Sequence, residues 1–195
     1  MEAAGRLQGP FITKHNQGGK GLGIHLFNHV DELDEHLDGP NFDPGPDGKI
    51  ILQQYIRPAH DRITRVEIVG GRLLFAMHSS TAEGFELCPS DACQTPAAAP
   101  QVCPAGGDTG LFSPADIDAD DPLVRQYIRL CADEGIDVAG IEFVTDAQGR
   151  RYTYDINGTT NYSGTLAART GVHGMRALAR HLVEVADVAA LARVA

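Results

Sequence analysis

Two strand-like runs decide the fold, Ala139-Gly140-Ile141-Glu142-Phe143-Val144 and Arg151-Tyr152-Thr153-Tyr154-Asp155-Ile156-Asn157. Together they predict a β-hairpin from Ala139 to Asn157. A two-residue turn at Gln148-Gly149 would set the register of this hairpin. The register matters because both strands carry an acidic residue.

In this register, Glu142 lies directly opposite Asp155, and Asn157 lies two residues further along on the same face. Opposed like charges destabilise a sheet, so we expect something to neutralise them. Mg²⁺ is commonly held by one or two carboxylates and substrate phosphates, and an asparagine carbonyl beside the pair suits that role. The alternative is an exposed hairpin face on which solvent screens both charges, and the pair alone does not decide between the two.

A glycine-rich segment, residues 17–23, follows a short predicted strand from Phe11 to Lys14 and precedes a second strand from Ile24 to Phe27. Glycines allow the backbone to approach an anion closely, and the flanking lysines, Lys14 and Lys20, can contact phosphates. No helix opens directly after the loop, so it is neither a Walker A loop nor a dinucleotide fingerprint. Taken alone, a flexible hairpin turn with solvated lysines is the favoured interpretation.

The remaining pattern predicts alternating helices and strands. A helix capped by Asn28 follows the glycine loop, and a buried strand spans Lys49 to Ile56. A second helix starts at Asp121 and Pro122. The C-terminal helix is expected to pack four residues into the core, namely Met175, Leu178, Leu182 and Val185.

A second hairpin is predicted from Ile63 to Met77, turning at Gly70-Gly71. With those glycines as the whole loop, one face is apolar and the other mixed. The apolar face would carry Val66, Ile68, Leu73, Phe75 and Met77. The mixed face would carry Arg65, Glu67, Leu74, Ala76 and His78.

Composition narrows the possible partners. The chain has 195 residues and a formal net charge of -10, without runs of Lys or Arg, so a nucleic-acid partner is not expected. No segment is apolar enough over sufficient length to span a bilayer, and the N-terminus lacks a signal-peptide pattern. We therefore expect a cytoplasmic protein without a membrane partner.

A long irregular stretch from Thr81 to Pro114 contains Cys88, Cys93 and Cys103. Together with His78 they would supply four zinc ligands, but the spacing matches no standard zinc module. A substrate-binding or nucleophilic thiol is a second option. Free thiols are the favoured interpretation. The histidines near the glycine loop, His15, His25, His29 and His36, are expected at the surface.

The ordered set of motifs resembles the ATP-grasp superfamily. The set consists of the lysine strand with its glycine loop, the run Ile51-Leu52-Gln53-Gln54-Tyr55-Ile56, and the carboxylate hairpin. It is most similar to the branch of glutathione synthetases and RimK-type glutamate ligases, from about Pro10 to about Ser163. The resemblance implies an α+β fold in which two subdomains with antiparallel sheets grip a nucleotide. The implied subdomains are residues 1–56, truncated at the N-terminus, and residues 57–195.

The resemblance also implies roles for individual residues. Lys14 would contact the nucleotide, and the loop closing over the phosphates would comprise Gly18, Gly19, Lys20, Gly21 and Gly23. The hinge strand whose backbone reads adenine would comprise Gln53, Gln54, Tyr55 and Ile56. Arg65 would bind a phosphate or the intermediate, and Lys20 would join it in offsetting charge. The metal ligands would be Glu142, Asp155 and Asn157.

The implied activity is an ATP- and Mg²⁺-dependent ligase that joins a carboxylate to an amine through an acyl phosphate. Its substrates would be a small-molecule or peptide carboxylate and an amine, and a homo-oligomer or partner chain would supply the missing N-terminal region. Three positions depart from the family pattern: Gln54 replaces an acidic residue, Asp155 replaces a glutamate, and His78-Ser79-Ser80 replaces a basic pair. Alternatives are a nucleotide-binding module without turnover, and a metal-binding protein organised by the cysteine loop.

Overall fold

The computed structural model describes residues 7, 9–17, 23–81, 112–158, 160, 162 and 164–192, without the side chains of 164–166 and 188–192. These ranges form two antiparallel sheets and several helices, which confirms the α+β fold. The strands are β1 (Phe11–His15), β2 (His25–Phe27), β3 (Ile50–Gln54), β4 (Arg62–Val69), β5 (Arg72–Ser80), β6 (Phe112–Pro114), β7 (Val138–Thr145) and β8 (Arg151–Asn157). The α-helices are α1 (Val30–Leu37), α2 (Pro122–Asp133), α3 (Gly164–Thr170) and α4 (Gly174–Ala192).

The smaller sheet has the strand order β2-β1-β3 and packs against α1. Its small core joins Phe11, Phe27 and Leu33. The predicted cap of α1 is wrong by one residue, because His29 occupies the N-cap position and makes no side-chain cap. The Glu32 carboxylate instead reaches back and accepts a hydrogen bond from the Asn28 N–H at 2.7 Å. An acceptor in the first turn thus replaces the predicted capping side chain.

The larger sheet has the order β6-β5-β4-β7-β8. One of its faces is covered by α2, whose buried residues Val124, Tyr127 and Cys131 join the sheet's own apolar side chains in the main core. As predicted, Asp121 and Pro122 start α2, with Asp121 as the N-cap whose carboxylate accepts a hydrogen bond from the Leu123 N–H at 2.9 Å. Because α2 occupies one face, polar side chains of the central strands collect on the opposite face.

A β-bulge corrects the predicted faces of the β4–β5 hairpin. Glu67 pairs with Phe75 and Ile68 pairs with Leu73, so Leu74 is the extra residue. Beyond the bulge the alternation inverts. Phe75 and Met77 therefore lie with Glu67 and Arg65, and Ala76 and His78 lie with Val66 and Thr64.

The prediction that α4 packs four residues into the core is wrong, because three of them are exposed and Leu178 is only half-buried, outside both core clusters. The exposed fractions of Met175, Leu182 and Val185 are 61%, 59% and 46%. The helix contacts the sheet near the β4–β5 turn, where the His181 ring lies against Gly70. Since the described contacts of α4 with the sheet lie at the turn end of β4, most of its apolar side chains stay outside the core.

No helix within the described ranges has both the length and the apolar character needed to cross a membrane. Two groups of predicted functional residues lie outside those ranges. They are Gly18, Gly19, Lys20 and Gly21 of the glycine loop, and Cys88, Cys93 and Cys103. The predicted boundary between residues 56 and 57 falls between the last strand of the smaller sheet and the first strand of the larger one.

Candidate functional site

The carboxylate hairpin has the predicted register at its open end. Glu142 pairs with Asp155, and Gly140 pairs with Asn157. The route to that register differs from the prediction, because Thr145 pairs with Arg151 and the connection comprises residues 146–150. This connection shifts the pairing by one residue relative to the prediction. A bulge that adds one residue on β8 shifts it back, so the predicted register is restored at Glu142.

The bulged residue is Tyr154, which has no cross-strand partner between Thr153 and Asp155. Its hydroxyl donates a 2.8 Å hydrogen bond to Oε2 of Glu142. Burial and the negative charge of Glu142 raise the pKa of Tyr154 well above the usual range, so the phenol stays protonated and remains a donor. The bulge thereby places a neutral hydrogen-bond donor against the carboxylate.

Arg65, in the middle of β4, lies between two glutamates. Its Nε donates to Oε1 of Glu67 at 2.6 Å, and its Nη1 donates to Oε1 of Glu142 at 2.7 Å. The exposed fractions of the three side chains are 7% for Arg65, 0% for Glu67 and 18% for Glu142. Glu142 is thus the member of this trio that an incoming ligand reaches most easily.

Gly140 makes room for this guanidinium. A Cβ atom on Gly140 would overlap with Nη2 and Cζ of Arg65, far inside van der Waals contact. The glycine is therefore a steric requirement for the position of Arg65.

Asp155 and Asn157 complete the cluster on β8. Nδ2 of Asn157 donates to Oδ2 of Asp155 at 3.0 Å, which leaves the amide oxygen of Asn157 as its candidate ligand atom. When all are ionised, one guanidinium and three carboxylates (Glu67, Glu142 and Asp155) carry a net charge of -2. This is the charge that one divalent cation neutralises.

The donor set suits a hard cation that also binds phosphate. Among the described residues, no three or more His, Cys, Asp or Glu side chains are grouped so as to hold a metal ion by themselves. Two carboxylates and one amide form an incomplete shell, as expected for Mg²⁺, which keeps waters and takes ligands from substrate phosphates. Both oxygens of Glu142 already accept hydrogen bonds, but each carboxylate oxygen has a second lone pair for a cation.

Lys14 connects the smaller sheet to this hairpin. Its Nζ donates to the backbone carbonyl of Tyr154 at 3.4 Å, across 140 positions of sequence. Tyr154 is the bulged residue, where the regular ladder is interrupted. The structure thus brings the predicted nucleotide lysine beside the predicted metal ligands.

The predicted hinge residues lie at the end of β3. Gln53 pairs with Ile12 and Gln54 with Phe11, and the side-chain amide of Gln54 donates to the Pro10 carbonyl at 3.0 Å. The Tyr55 N–H donates to the same carbonyl at 3.0 Å, and Ile56 follows it along the chain. These bonds anchor the hinge to the strand that carries Lys14.

His15 corrects the expectation of a surface histidine. Its side chain is 13% exposed, and its ring lies against Gly23, the last residue of the glycine loop, and against Gly45. A Cβ on either glycine would approach the ring within 3 Å. Its Nε2 also lies 3.1 Å from the Asp43 carbonyl oxygen. The ring therefore packs under one end of the predicted phosphate loop.

Sequence reasoning missed Glu67, Tyr154 and Gly140 as members of this cluster. The signal for Glu67 was available, because residues two apart on a strand share a face and Arg65 precedes it by two. No sequence signal placed Tyr154 next to Glu142, since that contact depends on the bulge. The contact between Gly140 and the Arg65 guanidinium depends on the pairing of β4 with β7.

The structure has two sheets, and a lysine of the smaller sheet lies beside the carboxylate hairpin of the larger one. This arrangement is an ATP-grasp fold, and solved structures of an ATP-grasp ligase match 90% or more of the chain. Residues 1–86 match the RimK-like ATP-grasp domain. The predicted resemblance is therefore confirmed as an ATP-grasp fold, with a similarity to the RimK-like branch over residues 1–86. No curated protein matches the sequence.

Three solved structures illustrate the similarity. The ATP-grasp ligase PsnB, complexed with a phosphomimetic variant of its minimal precursor, Mg and ADP, has a TM-score of 0.55 and 14% identity over 90% of this chain and 46% of its own. The biotin carboxylase domain dimer of Hydrogenobacter thermophilus 2-oxoglutarate carboxylase has a TM-score of 0.63 and 18% identity. The match covers 92% of the present chain and 38% of the carboxylase chain. N5-carboxyaminoimidazole synthetase from Staphylococcus aureus, complexed with ADP, has a TM-score of 0.56 and 16% identity. The match covers 86% of the present chain and 39% of the synthetase chain. The present chain thus spans less than half the length of these three chains.

Proposed function

We propose that the chain is the nucleotide- and metal-binding part of an ATP- and Mg²⁺-dependent ligase that joins a carboxylate to an amine. The observation that carries this proposal is the position of Glu142 opposite Asp155, with Asn157 beside them and Lys14 reaching the same hairpin. Similar structures support it, because PsnB was solved with Mg and ADP and the S. aureus synthetase with ADP.

In this proposal the nucleotide lies between the two predicted subdomains, residues 1–56 and 57–195. The metal ligands are Glu142, Asp155 and Asn157. Bound Mg²⁺ or Mn²⁺ supplies charge neutralisation for the phosphate oxygens. The hinge of Gln53, Gln54, Tyr55 and Ile56 holds the base through its backbone. The phosphates are enclosed by a loop that comprises Gly18, Gly19, Lys20, Gly21 and Gly23.

The proposed reaction has two steps. A substrate carboxylate oxygen takes the γ-phosphoryl group of ATP, which gives an acyl phosphate and ADP. The amine then attacks the acyl carbon, so that a C–N bond forms, the C–O bond breaks, and phosphate leaves with its electron pair and takes up the proton that the amine loses. Lys14, Lys20 and Arg65 offset the charge on the phosphoryl group, and closure of the glycine loop keeps water from the acyl phosphate.

The substrates are proposed only by chemical class, a small-molecule or peptide carboxylate and an amine. We also propose a homo-oligomer or a partner chain, as the biotin carboxylase domain was solved as a dimer. PsnB was solved with a precursor peptide, which is consistent with a peptide substrate. The net charge of -10 argues against nucleic acid.

One observation favours a second candidate, a module that binds nucleotide without turnover. His78 stands where the family has a basic pair, and its Nδ1 lies 3.0 Å from the Thr64 hydroxyl. Burial and the nearby charge of Arg62 lower the pKa of His78. A neutral imidazole at this position would not offset charge on a transferring phosphoryl group.

The direct test of the site is Glu142→Gln together with Asp155→Asn. These substitutions keep shape but remove two ligand charges, so we expect the Mg²⁺-dependent part of ADP affinity to fall at least tenfold. Isothermal titration calorimetry of ADP binding with and without Mg²⁺ measures this difference in affinity. Asp133→Asn with Glu134→Gln removes the same charge at the exposed end of α2 and should bind like the wild type. Unchanged Mg²⁺-dependent binding in the Glu142/Asp155 variant would eliminate the assignment.

A separate measurement distinguishes the ligase from the module. ADP release that depends on both an added carboxylate and an added amine supports the ligase. Binding of MgATP that raises the unfolding temperature, without ADP release across a panel of carboxylates and amines, supports the module.

A further inference from the structure

Glu67 is a buried carboxylate to which the sequence assigned no role. It is 0% exposed on β4, directly opposite Phe75 of β5 and Gly140 of β7. Its Oε1 accepts the hydrogen bond from Nε of Arg65, and a weaker interaction with the Thr160 hydroxyl also favours its ionised form. Burial raises the pKa of Glu67 despite the adjacent guanidinium.

Stability alone does not account for this carboxylate. Removing a carboxylate from water is unfavourable, and replacing a buried ion pair with apolar residues of similar volume is often neutral or stabilising. An apolar residue in place of Glu67 alone would leave the buried Arg65 guanidinium without one of its two partners, which is strongly destabilising. The role of Glu67 therefore has to be sought in what it does to Arg65.

The geometry around Arg65 indicates that role. Nε of Arg65 donates to Glu67, and Nη2 packs against Gly140, where a side chain would not fit. The remaining nitrogen, Nη1, donates to Glu142. A guanidinium held at two sides has one orientation left, and that orientation positions the Glu142 carboxylate. Arg65 forms ion pairs with both glutamates, so the negative charge of Glu67 partly neutralises the guanidinium. Less of the positive charge of Arg65 is then available to neutralise Glu142.

We propose that Glu67 is a positioning residue that orients Arg65 and keeps Glu142 negative enough to bind a divalent cation. The inference rests on the proposed function, because it concerns the same cation site. Without the charge of Glu67, the Arg65–Glu142 ion pair tightens and competes with the cation. Partners behind metal ligands commonly control affinity in this way.

The test uses Mn²⁺ as the probe, with ADP, and measures free Mn²⁺ by electron paramagnetic resonance. Glu67→Gln keeps an acceptor for Nε but removes the charge, and we expect about tenfold weaker Mn²⁺ binding. Glu67→Leu removes both and should weaken binding further. Glu184→Gln, an exposed change of the same kind on α4, is the matched control and should bind as the wild type does.

Two further measurements separate positioning from general damage. In Glu67→Gln, ADP binding without metal should be unchanged and circular dichroism should show a folded protein, although the loss of one charge of a buried ion pair lowers the unfolding temperature. Adding Glu67→Gln to a Glu142→Gln variant should cause no further loss of Mn²⁺ binding, because the effect passes through Glu142.

The possible failures are distinguishable. If the wild type does not bind Mn²⁺ with ADP, the proposed function itself fails and the inference falls with it. If the wild type binds and Glu67→Gln binds equally well, the positioning role is overturned while the proposed function stands. A loss of Mn²⁺ binding that only parallels a loss of folding would also overturn it, and Glu67→Gln decides the matter if Glu67→Leu does not fold.

Discussion

At the residue scale, Gly140 shows how the absence of a side chain builds the cluster. A Cβ at this position would occupy the space of the Arg65 guanidinium. The glycine has no positive φ, so its role is space rather than backbone conformation. Its effect is therefore expected to appear in the ion pairs of Arg65 with Glu67 and Glu142.

We expect Gly140→Ala to destabilise the protein by about 1–3 kcal/mol, the usual range for overpacking a well-packed site. The variant should also weaken Mg²⁺-dependent nucleotide binding, because Arg65 must leave its place beside Glu142. Chemical denaturation and calorimetry measure the two effects.

Gly158→Ala is the matched control. A Cβ at Gly158 would meet nothing within 4 Å, and its backbone conformation suits an L-residue. The expected change in unfolding free energy lies within about 0.5 kcal/mol. Equal effects at the two glycines would contradict the steric role assigned to Gly140.

At the element scale, two β-bulges decide which side chains reach the site. The bulge at Leu74 brings Phe75 and Met77 to the side of Glu67 and Arg65. The bulge at Tyr154 keeps Glu142 opposite Asp155 despite the longer turn. Each inserted residue inverts the alternation beyond it, so a single misplaced bulge would exchange core and site faces.

The start of α2 provides a pH-dependent prediction. Partial burial of Asp121 would raise its pKa, but hydrogen bonds from Arg151 and from the Leu123 N–H outweigh it and hold the pKa below the usual range. A lowered pKa in the folded state means that Asp121 stabilises the fold above the ordinary aspartate value of about 3.9. This contribution is lost as pH falls through the lower, folded-state pKa.

We expect Asp121→Ala to lower the free energy of unfolding by about 1–2 kcal/mol at neutral pH, mainly through the lost N-cap. The difference from the wild type should shrink as pH falls below about 3.9, since Asp121 is then increasingly protonated. Asp121→Asn, which keeps a capping oxygen, should lose less. Denaturant unfolding between pH 3 and pH 7 measures these differences, and a gap that widens toward low pH would contradict the assignment.

At the scale of the whole molecule, the site joins two sheets with separate cores. Lys14 of the smaller sheet contacts the Tyr154 carbonyl on the last strand of the larger one. A ligand with phosphates and a divalent cation would interact with Lys14 on one side and Glu142 on the other. We therefore expect nucleotide to stabilise the protein as a whole.

With ADP and Mg²⁺ at one hundred times the dissociation constant, stabilisation should be about 2.7 kcal/mol. For a chain of this size that corresponds to about 5–10 °C in unfolding temperature. Differential scanning fluorimetry measures the shift, and EDTA should abolish most of it. A shift that persists in EDTA would show that nucleotide binds without the cation site.

The sequence by itself determined the α+β class and the helix start at Asp121 and Pro122, through two local signals, apolar alternation and a capping residue before proline. The predicted pairing of Glu142 with Asp155 also holds, but only because the bulge at Tyr154 offsets a connection longer than the predicted two-residue turn. The same local reasoning failed where an extra residue entered a strand, as at Leu74, and where an apolar helix found no face to cover, as at α4.

Only the tertiary structure decided which residues surround the carboxylates. Arg65 and Glu142 are 77 positions apart, and Lys14 and Tyr154 are 140 apart. Contacts at such separations depend on how β4 pairs with β7 and on how the two sheets approach each other. Single-residue propensities contain no information on either, because the burial that gives Glu67 its neighbours exists only after the sheet has formed.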